Sequence, residues 1–174
     1  MNTNVILKKF EDLAAHYTNE LETYSLEQFR EKPSEDEWSL GQMYNHLLTA
    51  SNMQLHAIET CSTHSATIDG KKTEAGEKIY ALGSFPPIQI KVPNRPGYTP
   101  ENPTNKEPIQ QALLQLVEKM KEIEPRISSI PSNYKAEHPG FGYLNAAEWF
   151  QLVYMHFSHH LLQMEWLKQH ITIK

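Results

Sequence analysis

The chain has 174 residues, 39% of them hydrophobic and 21% charged, with a formal net charge of −5. That length fits one domain over residues 1–174 with room for a sizeable core. The acidic balance and scattered Lys and Arg residues argue against a nucleic-acid surface, and no run of about 18 apolar residues is present to cross a membrane. The stretch from Met1 to Phe10 lacks the apolar core of a secretory signal. A single Cys61 excludes an internal disulfide and suits a reducing compartment, so the expected location is the cytoplasm.

From about Thr3 to Arg30, Val5, Leu7, Phe10, Leu13, Ala14, Tyr17, Leu21, Tyr24 and Phe29 recur at helical spacing. This predicts one long first helix, stopped by Pro33, because the residue before proline is pushed out of the α region. A second helix opens at Trp38-Ser39-Leu40-Gly41-Gln42, where Ser39 and Gln42 form a Ser-x-x-Gln capping box. Its inward face is expected at Leu40, Met43, Leu47, Ala50 and either Met53 or Gln54, and it fades near Glu59 to Ser62. Residues 62–104 hold most of the chain's Gly and Pro and predict a long crossover, with a short helix from about Thr73 to Leu82. Ile88 to Val92 alternates but is too isolated to support a sheet. The run from Phe85 to Pro96 reads as a stiff connection packed on the helices, or as a pocket wall or dimer contact.

The third helix is expected to start with Thr104 as cap, Glu107 at the box position and Pro108 in its first turn. Its stripe is Ile109, Ala112 or Leu113, Leu116, Met120 and Ile123, and Pro125 should end or kink it. The stretch His138-Pro139-Gly140-Phe141-Gly142-Tyr143 reads as a loop into a fourth helix. Asn145 caps that helix, with Glu148 at the box position. Ala146, Phe150, Val153, Phe157, Leu161, Met164 and Leu167 mark its buried face. Four amphipathic helices, one long crossover between the second and third, and no convincing strands predict an all-α four-helix bundle.

His156 and His160 lie four residues apart, one turn above the other on the inner margin of the fourth helix. His46 falls on the inward side of the second helix. A lone inward histidine is usually a satisfied core residue. Three on facing helices can share one metal at about 2.0–2.1 Å and leave positions open to water or substrate. No inward Asp or Glu joins them, so a carboxylate-bridged di-iron site is not expected.

These residues resemble the DinB-like superfamily. Trp38-Ser39-Leu40-Gly41-Gln42 followed by His46 is similar to the start of its second helix. His138-Pro139-Gly140-Phe141-Gly142 and His156-Phe157-Ser158-His159-His160-Leu161-Leu162-Gln163 are similar to its entry to the fourth helix and its ligand helix. The resemblance implies one divalent ion (nickel, zinc or iron) on His46, His156 and His160. It also implies a small-molecule substrate, possibly a low-molecular-weight thiol, since members include bacillithiol- and mycothiol-dependent transferases beside proteins described as metal-dependent hydrolases. A homodimer is a further family expectation. A non-enzymatic, metal-containing ligand-binding or stress protein is the alternative from another class.

Other candidates carry less. His159 points about 100° away from His160 and is expected on the surface or behind the ligands. Gln163, one turn beyond His160, is able to hydrogen-bond a ligand imidazole or simply to pack. Trp38, Trp149 and Trp166 are expected to pack the helices and their ends. His138 reads as a turn residue before a substrate contact, and Cys61 as a semi-buried residue at a helix end before a nucleophile.

Overall fold

A computed structural model describes residues 2–87 and 99–171. Six helices and three short strands occur among them. The first helix, α1 (Thr3–Thr23), is capped by the Asn2 side chain and buries Ile6, Phe10, Ala14, Tyr17 and Leu21 in steps of three and four. It does not run on to Arg30. Tyr24 turns extended, and Ser25 starts a separate short helix, α2 (Leu26–Arg30), through a reciprocal capping box with Gln28. The local Ser25-x-x-Gln28 signal therefore outweighs the continuing apolar period.

Helix α3 (Leu40–Cys61) begins where Ser39 and Gln42 predict, with Ser39 Oγ accepting from Gln42 N at 3.1 Å and Gln42 Oε1 accepting from Ser39 N at 3.0 Å. Gln54, not Met53, takes the inward position: it is buried, whereas Met53 is exposed. Strand β1 (Thr67–Ile68) follows, then the expected short helix, α4 (Glu74–Leu82), which Thr73 caps. Ile88, Ile90 and Val92 lie outside the described residues.

The crossover returns to the start of α3. Gln42 Nε2 donates to the Pro100 carbonyl at 2.9 Å, Asn45 Nδ2 to the Glu101 carbonyl at 2.8 Å, and Ser39 Oγ bonds Asn102 Oδ1 at 2.9 Å. Gly41 makes this approach possible, since a Cβ there would lie 2.5 Å from the Pro103 ring.

Helix α5 (Glu107–Ile127) starts two residues later than a Thr104 cap would give. Lys106 occupies the cap without a side-chain bond, and Pro108 stands in the first turn. The Lys106 ammonium is engaged elsewhere, on the Leu21 and Tyr24 carbonyls at the end of α1. Pro125 lies inside the last turn, and the helix ends two residues beyond it.

The segment before the last helix contains the strands that periodicity missed. β2 (Tyr134–His138) and β3 (Gly142–Asn145) form an antiparallel hairpin, and β1 pairs with β2, giving the order β1-β2-β3. Ala136 and Leu144 face each other across it and are buried, sealing one end of the core. The last helix, α6 (Ala146–Lys168), carries the predicted Asn145–Glu148 capping box.

Helix α3 packs along α6, α1 packs along α5 and α6, and α5 also meets α3 and α6. Aromatic rings fill the centre: Phe10 and Tyr17 meet Phe157 edge-on at 5.2 and 5.1 Å, and Tyr44 meets Tyr17 and Phe29 at 5.3 and 5.2 Å. Such edge-to-face pairs add about 0.5–1.5 kcal/mol each to simple burial. The Tyr17 hydroxyl donates to the Phe157 carbonyl, and the Tyr44 hydroxyl to the Tyr17 carbonyl, both at 2.8 Å. No described helix is long and apolar enough to cross a membrane.

Candidate metal centre

The contact between α3 and α6 brings His46, His156 and His160 together. His156 and His160 meet because a four-residue step stacks them on one side of α6. His46 reaches them from α3, seven residues after the Ser39 cap that fixes where that helix begins. His156 Nε2 stands 3.2 Å from His46 Nε2 and 3.1 Å from His160 Nε2. Two nitrogens held by one ion at about 2.0–2.1 Å stand about 2.9 Å apart at a right angle and about 3.3 Å apart at the tetrahedral angle. The observed separations fall between these values.

Hydrogen-bond accounting also fits an ion. His160 Nδ1 donates to Gln163 Oε1 at 2.7 Å, so its Nε2 presents a lone pair toward His156. A proton on His156 Nε2 satisfies one neighbouring nitrogen along its bond direction and leaves the other contact unmet. A cation among the three satisfies every lone pair at once. His156 Nδ1, on the far side of its ring, is buried and has no hydrogen-bond partner among the described residues.

Electrostatics keep the rings ready for this role. Burial pushes the His46 imidazolium down to about 4. Burial first, then the adjacent His46, pushes His160 down to about 3 against the opposing bond from Gln163. His156 falls well below the ordinary histidine range, by burial and then by the neighbouring His160 and His46. All three are neutral near pH 7, the form in which imidazole binds metal.

The surroundings are aromatic. Trp38 is buried with its ring 5.2 Å from His46, and Phe85 lies 6.4 Å from His156 and 5.1 Å from His159. Phe85 thus walls the site, one of the alternatives its sequence context left open. The place of Trp38 beside His46 was not evident: the two are eight residues apart, and Trp38 precedes the helix. His159 faces Phe85 and does not join the three converging nitrogens.

His138 ends β2 as a turn residue. Its Nδ1 accepts from the Gly140 and Phe141 amides at 3.0 and 3.1 Å, and its ring stacks on Phe141 at 4.3 Å. Cys61 is buried at the end of α3, its thiol aimed at the Leu144 carbonyl and pushed up by burial to about 11. That excludes a reactive thiolate near neutral pH. The open groove along α2, lined by Ser25, Glu27, Arg30 and Asn102 among others, contains no histidine or cysteine.

The class these features define is a mostly helical protein with a small sheet and a three-histidine group able to hold a metal ion. The family model of the DinB superfamily matches residues 9–164, a span that includes all three histidines, and the chain belongs to that superfamily. Comparison with curated proteins and with solved structures gives no match.

Proposed function

We propose that the chain is a divalent-metal-dependent enzyme whose ion is held by His46, His156 and His160. Its reaction is transfer of a low-molecular-weight thiol of the bacillithiol type to an electrophilic small molecule. The observation that carries this proposal is the convergence of three neutral imidazole nitrogens, 3.1 and 3.2 Å apart. The four long helices α1, α3, α5 and α6 are taken as a single-domain four-helix bundle, with the crossover joining α3 to α5.

Nickel, zinc and iron all accept imidazole ligands. An ion held by the neutral His46, His156 and His160 would lower the pKa of a thiol or water beside it. The chain's own residues hold and shield that position. Gln163 orients His160, and the Trp38 and Phe85 rings cover the flanks of His46 and His156. In the transfer, the thiol sulfur forms a bond to the electrophilic carbon while the leaving group departs with its electron pair. The thiol proton passes to solvent.

The test begins with metal analysis of untagged protein purified without chelator, where about one ion per chain is expected from one three-ligand site. Turnover is then screened with and without low-molecular-weight thiols, in wild type and His156→Ala. Protein without metal refutes the proposal. Metal-dependent turnover that needs no thiol moves the reaction to hydrolysis. Ligand binding that survives metal removal, with no turnover, marks a binding protein instead.

A further inference from the structure

The three histidines do not have equal support on their outer nitrogens. His160 Nδ1 is held by Gln163 Oε1 at 2.7 Å. His156 Nδ1, by contrast, is buried without a partner among the described residues. A neutral imidazole carries one proton, so a partner at one nitrogen decides what the other can do.

We propose that Gln163 is a positioning residue that makes His160 the preformed ligand of the centre, while His156 changes tautomer when the ion enters. This rests on the metal-binding role proposed above.

The reasoning follows the proton. Gln163 is three residues beyond His160, so the two side chains share one side of α6. With Oε1 facing the ring, the His160 proton sits on Nδ1, and Nε2 offers its lone pair before any ion arrives. His156 Nε2 lies 3.1 Å from that lone pair. Two lone pairs that close repel, so His156 carries its proton on Nε2 and donates it to His160. An ion needs the His156 Nε2 lone pair, so the proton moves to Nδ1. The ring stays neutral and no proton is lost from the pair. A fixed partner at His156 Nδ1 would favour one tautomer over the other, and no described residue supplies one.

The test uses the full chain, labelled with 15N-histidine, metal-free and zinc-loaded. Nitrogen shifts of the metal-free protein should assign His160 as Nδ1–H and His156 as Nε2–H, and zinc should convert His156 to Nδ1–H. Competition with a chromophoric chelator measures zinc affinity. Gln163→Ala should bind zinc about 10–100-fold more weakly, and Gln163→Glu, which keeps an acceptor, should stay near wild type. Far-UV circular dichroism confirms that each variant is folded.

An Nε2–H tautomer for His160 in metal-free wild type overturns the proposal. So does a folded Gln163→Ala with unchanged zinc affinity. Wild type that takes up no zinc removes the metal-binding role itself, and the ligand order with it. The metal-free His160 tautomer reports separately on what Gln163 holds.

Discussion

Acid should weaken the metal-free fold through His46, in a way a single substitution can isolate. In the unfolded chain this imidazole takes up a proton near 6.5, and in the folded chain only near 4, because burial opposes the charge. Between those values the unfolded state binds more protons, so stability is complete above about pH 6.5 and falls as pH drops toward 4. Each tenfold difference in proton affinity is about 1.4 kcal/mol, so the full effect is about 3 kcal/mol, with most of it already lost at pH 4.5.

For a chain of this length that loss lowers Tm by about 5–10 °C. The assay is calorimetric melting of chelator-treated protein from pH 7.5 to 4.5, for wild type and His46→Gln. Carboxylate contributions are shared by both proteins and cancel in the comparison. The variant's Tm should fall less over this range. Parallel curves would refute the claim that His46 is held neutral by its surroundings.

Tyr17→Phe removes the hydroxyl bonded to the Phe157 carbonyl and should cost about 1–2 kcal/mol, seen as a lower urea midpoint with unchanged slope. An unchanged midpoint would mean that the bond contributes nothing. Cys61 should resist an aromatic disulfide reagent at pH 8 until denaturant opens the core, and rapid labelling of folded protein would contradict its burial. Gly142→Ala should destabilise more than Gly83→Ala. Both glycines have φ near +70°, but a Cβ at residue 142 meets the Lys71 carbonyl at 2.7 Å, while at residue 83 the nearest atom is 3.9 Å away. The shared left-handed strain is about 1 kcal/mol or more, and equal losses in chemical denaturation would remove the clash from the account.

What the sequence revealed divides by range. Capping boxes at Ser39–Gln42 and Asn145–Glu148 placed the starts of both histidine-bearing helices, because the cap bonds join residues three apart. The Ser25–Gln28 box is equally local, but the longer apolar period of α1 runs on past it and masks it. The strands were hidden for another reason. β1 pairs with a segment over sixty residues away, and four- or five-residue strands leave little alternation to detect. The three histidines could be singled out because inward position follows from helical phase. The 2.7 Å bond to Gln163 and the flanking Trp38 and Phe85 depend on rotamers and on how the helices cross, which phase does not specify.

Tyr17 gives α1 a hold on both histidine-bearing helices, although α1 supplies none of the three nitrogens. Its carbonyl takes the hydroxyl of Tyr44, two residues before His46, and its own hydroxyl reaches the carbonyl of Phe157, next to His156. One residue on a third helix therefore acts as a spacer for the gap between the two rings. The octahedral and tetrahedral nitrogen separations differ by only about 0.4 Å. Substitutions along the buried face of α1 can thus shift the spacing of the three nitrogens from a helix that supplies none of them.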